Sequence, residues 1–167
     1  MGTRRGRRAK HAGARVLPNA LTTMLSIPVL IEGGCHVDAR GSISFVNGFT
    51  FHGVERFYWV QSAQVGMHRG WVGHQREHKW FTVVAGEVQV AVVKPDDWQS
   101  PSADLPVARY ILSAATPQVL HVPAGHATGS VSLTADAILM VFSSGTIVDA
   151  PNDDFRFPVS HWPLGTI

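Results

Sequence analysis

From Arg69 to Phe81 the chain gathers Arg69, His74, Arg76, Glu77, His78 and Lys79 within a few residues, bounded by Gly70 and Gly73, with Gly86 shortly after. Histidine is the side chain whose ordinary pKa lets it take a proton near neutrality, and arginine and lysine hold the negative charge that proton removal creates. The chemistry open to this stretch is therefore general-base proton abstraction beside an anion-binding group. His74 and Val72 are two residues apart on a predicted strand and share one face. An apolar neighbour would desolvate the imidazole, lower its pKa and keep it neutral; the alternative is a buried histidine satisfied by a backbone carbonyl.

Arg69, Arg56 and Lys79 are candidates for binding phosphate or a developing oxyanion, arginine as a bidentate fork and lysine as a point charge. For Arg56 a salt bridge to Glu55, Glu77 or Glu87 is the competing reading. Tyr58 offers a proton or a hydrogen bond, or else packs at a rim. Trp71 and Trp80 offer flat faces for stacking on a base or sugar, or else belong to the core. His126, following the Pro123-Ala124-Gly125 turn, is placed to reach a cavity mouth, whereas His121 reads as core or rim. The direction of His78 is left open, because a turn at Gln75-Arg76 resets strand parity. Asp153 and Asp154 either orient a histidine or lie in solvent.

The elements that must position these groups read as strands. Ten prolines, 16 glycines and recurring β-branched and aromatic runs indicate an all-β chain. Strands are expected over 42–47, 55–61, 68–74, 80–84, 88–93, 109–112, 118–122 and 138–142. The stretch 21–31 reads as a first strand or lead-in segment. Ala85-Gly86-Glu87 is read as the turn of a hairpin between two of the strands. A short helix is allowed near Asp97 or at the C-terminus, and 95–106 reads as a surface excursion. Short strands punctuated by Gly and Pro indicate a jelly roll or related barrel.

At 167 residues one domain is expected. Six of the 14 basic residues lie in the first 15 positions, leaving eight basic against 12 acidic residues in the body. The basic character thus belongs to residues 1–24, read as a disordered extension before a domain over 25–167, and the body is not that of a nucleic-acid binder. No apolar run is long enough for a membrane span. The single Cys35 excludes an internal disulfide framework and favours a reducing compartment, so a cytoplasmic location is expected.

Arg69-Gly70, His74, Lys79 with Gly86 seven residues on, and Pro123-Ala124-Gly125 together resemble a cupin, a jelly-roll β-barrel. The resemblance runs from about Ile31 to Pro163. It is nearest the branch holding dTDP-4-keto-6-deoxyhexose 3,5-epimerases and WxcM-like 3,4-ketoisomerases. Asp38-Ala39-Arg40-Gly41 resembles its opening element, Glu55-Arg56-Phe57-Tyr58 the strand before its first histidine motif, and Asp153-Asp154-Phe155 with His161-Trp162-Pro163 its C-terminal segment.

Metal-binding cupins carry His, His, Glu and a later His; the corresponding positions here are Val72, His74, Lys79 and Thr128. With one of these four donors kept and an ammonium in the Glu position, no metal is expected, although His78, Glu77 and His126 are further donors nearby. The epimerase base corresponds to Val72 and the epimerase tyrosine acid to Phe142, whereas the ketoisomerase pattern R-G-x-H-x-H keeps its second histidine as His74.

The resemblance therefore implies a cofactor-independent isomerase acting on a dTDP-4-keto-6-deoxyhexose, with 3,4-ketoisomerisation preferred over 3,5-epimerisation. His74 and Tyr58 would be catalytic, and Arg69, Lys79, Arg56, Trp71 and His126 would bind substrate. It also implies a homodimer pairing through edge strands and a place in cell-surface polysaccharide synthesis. A non-catalytic sugar-nucleotide-binding cupin is the second reading.

Overall fold

Alternating apolar and polar residues sort the chain into two five-stranded antiparallel sheets packed face to face, with a small hairpin beside them. The computed structural model describes residues 26–165. The first sheet orders its strands β1 (Val29–Glu32), β9 (Gln118–Val122), β6 (Lys79–Ala85), β11 (Ile138–Ser143) and β4 (Arg56–Gln61). The second runs β12 (Phe155–Arg156), β5 (His68–His74), β10 (His126–Ser132), β7 (Glu87–Val93) and β8 (Ala108–Ser113). Strands β2 (Gly34–Asp38) and β3 (Gly41–Phe45) form the separate hairpin. Its turn is held by the Asp38 carboxylate, which accepts the Arg40 backbone N–H at 2.8 Å and pairs with the Arg40 guanidinium. The opening Asp-x-Arg-Gly element is thus a turn-former.

Between the sheets lies an aliphatic core that includes Phe81, Val83, Val90, Val92, Leu112, Leu120, Leu139 and Val141. Each such side chain contributes about 1.5–3 kcal/mol by leaving water. A second apolar layer covers the outer face of the second sheet: Trp71, Ala91, Val93, Ala127 and Val131 pack under Trp162 and Leu164 of the C-terminal segment. The Trp71 indole N–H donates to the Trp162 carbonyl at 3.1 Å, and Trp162 in turn donates to the Ser102 carbonyl at 2.9 Å. The 95–106 excursion is anchored by these contacts and by Trp98 against Phe155, ring centroids 4.9 Å apart.

The all-β reading holds, with one 3₁₀ turn at Ala150–Asn152 and no helix at Asp97. Two expectations change. Strands β6 and β7 do not form a hairpin: β6 pairs with β9 and β11, and β7 with β8 and β10. Gly86, at φ +62°, turns the chain from one sheet to the other, and Thr134 accepts the next N–H at 2.9 Å. A Cβ at Gly86 would collide with the Thr134 hydroxyl. Residues after Gly125, read as loop, form the central strand β10. The expected extension at 1–24 lies outside the described residues. Among the described residues no helix is long and apolar enough to cross a membrane.

Candidate functional site

Where β4 and β5 face each other the core gives way to a cavity of about 270 Å³. Arg56 and Tyr58 of β4, Arg69, Val72 and His74 of β5, and Lys79 of β6 line it. Thr128 and Ser130 of β10 and Asp154 and Arg156 of the C-terminal segment complete the wall. Strand parity explains the selection from Val72 onward, and Arg69, of opposite parity, lies beyond the register shift between Thr128 and Ser130. Val72 and His74 share the inward face of β5, and Lys79 and Phe81 that of β6, while Trp71 and Trp80 point away.

Asp153 lies behind the cavity wall and holds His74 and the turn that follows it. Its buried carboxylate accepts the backbone N–H groups of Gln75, Arg76 and Glu77 at 2.9, 3.0 and 2.9 Å. This clamps the turn after β5 and aims Glu77 inward. The Asp153 carbonyl lies 2.6 Å from Nδ1 of His74. A carbonyl can only accept, so Nδ1 carries the proton and the neutral ring has its lone pair on Nε2. Among the described residues no protein group bonds Nε2. Burial, then the Lys79 charge, hold the His74 pKa below its ordinary value, against the opposing pull of Glu77.

Glu77 is the hub of the charged groups. Its Oε1 accepts from Lys79 Nζ and from Arg56 Nη2, each at 2.9 Å, and from the Ser143 hydroxyl. Its Oε2 is 3.0 Å from His74 Nδ1 yet receives no hydrogen bond. Gly145 allows this packing, since a Cβ there would stand 2.7 Å from the Glu77 carboxyl carbon. Burial lowers the Lys79 pKa, and the hydrogen bond to Glu77 works the other way. Lys79 and Arg56 each sit 5.7 Å from the centre of the Tyr58 ring. Desolvation raises the Tyr58 pKa although 38% of the residue remains exposed, so the phenol keeps its proton at neutral pH. Arg69 lines the cavity with no hydrogen-bond or ion-pair partner among the described residues.

The structure thus brings together His74, Tyr58, Arg69, Lys79 and Arg56, and excludes two other predicted site residues. Trp71 is sealed beneath Trp162 on the outer face. His126 pairs in register with His74, but its Nδ1 bonds the Pro123 carbonyl at 3.0 Å and the ring does not line the cavity. Phe142, which the resemblance sets against the epimerase tyrosine, packs on Phe49 outside the first sheet; Leu139 and Val141 are the β11 residues that line the cavity. Trp80 and His78 likewise stack outside the sheet, against His121. Asp153, read in the sequence as either orienting a histidine or lying in solvent, is the residue that holds His74, and Glu77, read as a salt-bridge partner of Arg56 or a further donor, pairs with both Arg56 and Lys79. The signal for Glu77 was its place between His74 and Lys79, and for Asp153 the adjacent pair of acids it forms with Asp154.

His74, Glu77 and Asp153 have one donor atom each within 4.8 Å of one another, the spacing of a metal site. The chemistry does not fit. Both oxygens of Asp153 are occupied by three N–H groups, and Glu77 already carries an ammonium and a guanidinium that would repel a cation.

No protein-family model and no curated protein matches the chain. Solved structures do. An rmlC epimerase of Mycobacterium tuberculosis superposes with a TM-score of 0.64 at 23% identity, over 78% of this chain and 68% of that one. The 3,4-ketoisomerase QdtA of Thermoanaerobacterium thermosaccharolyticum, a variant bound to TDP-4-keto-6-deoxyglucose, gives 0.63 at 18%, over 80% and 90%. The dTDP-4-dehydrorhamnose 3,5-epimerase of Bacillus anthracis, with TDP and pyrophosphate bound, gives 0.63 at 22%, over 83% and 86%. At these identities the likeness is one of fold: the chain has the cupin-type architecture of sugar-nucleotide epimerases and ketoisomerases.

Proposed function

We propose that the protein is a cofactor-independent isomerase of a dTDP-4-keto-6-deoxyhexose, moving the ketone from C4 to C3. The observation that carries this reading is a cavity histidine whose Nδ1 is tied to a carbonyl and whose Nε2 is left open beside a buried lysine. The C4 ketone acidifies the C3–H bond. His74 Nε2 takes that proton, and the electron pair moves into the carbonyl to give an enediolate. Lys79 supplies the positive charge that holds the new oxyanion. The proton returns from His74 to C4, while the hydroxyl proton passes from O3 to O4 with Tyr58, still protonated, within reach as a relay. Arg69, without a protein partner, suits the diphosphate. The cavity is smaller than ligand pockets of roughly 300–1,000 Å³, which favours the sugar inside and the nucleoside at the mouth.

Ketoisomerisation is favoured over 3,5-epimerisation because Val72 stands where the epimerase base corresponds and His74 remains. Proton NMR with dTDP-4-keto-6-deoxyglucose in deuterated water separates the two. Deuterium entering at the C3–C4 positions with migration of the ketone is expected; exchange at C3 and C5 with the ketone in place would mean epimerisation. The inert Val72 and Val141 in the cavity wall support a second reading, a binding module without turnover. Saturable line-broadening of the nucleotide with no exchange would establish that reading instead.

We also propose a homodimer. Phe51, Phe57, Trp59 and Val84 are exposed, with Phe57 and Trp59 on the sheet-edge strand β4. Light scattering should give twice the chain mass for the native protein and the single-chain mass for Trp59→Glu.

A further inference from the structure

The two oxygens of Glu77 are treated differently by the fold. Three donors from three elements converge on Oε1: Lys79 of β6, Arg56 of β4 and Ser143 of β11. Oε2 is buried, receives no hydrogen bond, and stands 3.0 Å from Nδ1 of His74. Leaving a buried carboxylate oxygen without a donor is unfavourable, and the surroundings do nothing to relieve it. The Nδ1 proton is committed to the Asp153 carbonyl at 2.6 Å. Any role for Oε2 must therefore arise when the charge on His74 changes.

We propose that Glu77 is the positioning residue of this site: Oε1 fixes Lys79 and Arg56, while Oε2 is held ready as the counter-charge for the imidazolium that forms when His74 takes a proton. The inference rests on His74 being the base. The proton from the substrate carbon goes to Nε2, its electron pair stays with the substrate as the enediolate, and Glu77 itself gains no proton. The attraction between Oε2 and the ring is weak while His74 is neutral and strong once it is charged. This is an interaction that favours the transition state over the ground state. It takes the place that a carboxylate hydrogen-bonded to the base would fill, here with the backbone holding the ring and the carboxylate supplying only the charge. One side chain then couples base to oxyanion holder, since whatever moves Glu77 moves both His74 and Lys79.

The charged and titratable groups facing His74 are Glu77 in the turn, Lys79 on β6 and Asp153 in the C-terminal segment, with His126 its register partner on β10. The test follows the His74 ring signals by NMR through a pH titration of the full chain, wild type beside Glu77→Gln and Glu77→Asp. Loss of the carboxylate should lower the His74 midpoint by about one pH unit or more in Glu77→Gln. Glu77→Asp, which keeps the charge one methylene further back, should fall between Glu77→Gln and wild type. If Glu77→Gln does not fold, Glu77→Asp alone decides, a lowered midpoint supporting the proposal. With dTDP-4-keto-6-deoxyglucose, the acid limb of the rate profile should move the same way in Glu77→Gln. The rate should fall about 100-fold with little change in KM. An unchanged His74 midpoint in a folded variant would overturn the inference and leave Glu77 as a structural ion-pair partner. The titration needs no substrate, so a wild type that binds without turnover refutes the isomerase reading alone. Conversely, turnover insensitive to Glu77→Gln refutes this inference alone.

Discussion

His74 and His121 are both buried histidines whose pKa values burial depresses, yet they sit in opposite circumstances. His74 faces the cavity between the sheets, with Glu77 and Lys79 beside it and one ring nitrogen open. His121 is fully buried on the outer side of the first sheet. Its ring stacks on His78 and Trp80, its Nε2 meets His78 Nδ1 at 3.0 Å, and its Nδ1 has no partner. Strand β6 therefore carries charge chemistry on one face, through Lys79, and on the other face joins His121 of β9 in sealed aromatic packing. Burial alone depresses a histidine; access and a neighbouring counter-charge are what make it usable.

The sharpest consequence concerns the residues that point away. Trp71→Ala should cost about 4 kcal/mol of stability, read by urea denaturation, while leaving TDP affinity of the folded fraction unchanged. A selective loss of binding would put Trp71 back in the site. On the cavity side, Lys79→Met leaves the buried Glu77 carboxylate short of a partner. A destabilisation of about 3 kcal/mol and loss of turnover are expected together, measured by denaturation and by exchange in deuterated water.

The sealed histidine predicts a pH effect with a definite sign. His121 is depressed from 6.5 to about 4 in the folded chain, so between those values the unfolded chain binds the extra proton. Stability from this residue is complete above pH 6.5 and declines as pH falls toward 4, by about 3 kcal/mol in total. His78, His74 and His126, also depressed, act in the same direction. His121→Phe should flatten this slope in urea midpoints collected from pH 7 to 4.5; an unaltered slope would assign it to the other histidines. The smallest effect belongs to the cavity mouth. Arg69→Met should weaken TDP binding about tenfold by calorimetry and leave stability untouched, because no protein group depends on that guanidinium.

Much of this division was legible in the chain. Period-2 parity placed Val72 and His74 on one face, and the cavity confirms it. The same parity sends Trp71 outward, and reading it as a stacking platform set that rule aside. Gly86 gave a true turn signal, but a hairpin and a corner between sheets look alike locally; the partners that decide, β9, β10 and β11, come later in the chain. Strand β10 was hidden because Thr128-Gly129-Ser130 is small and polar, and its neighbours β5 and β7 make it a strand. Glu77 lies past the turn at Gln75-Arg76, where parity is lost. Its direction is set by Asp153, 76 residues away, a contact no local pattern encodes.

The most direct measurement compares deuterium incorporation into dTDP-4-keto-6-deoxyglucose by wild type, His74→Asn and His121→Phe at neutral pH. Exchange should fall at least ~100-fold in His74→Asn, with its melting temperature preserved, and stay near the wild-type rate in His121→Phe. Wild-type exchange in His74→Asn would contradict the assignment of His74 as the base, and loss of exchange confined to a folded His121→Phe would place the chemistry on the wrong side of the sheet.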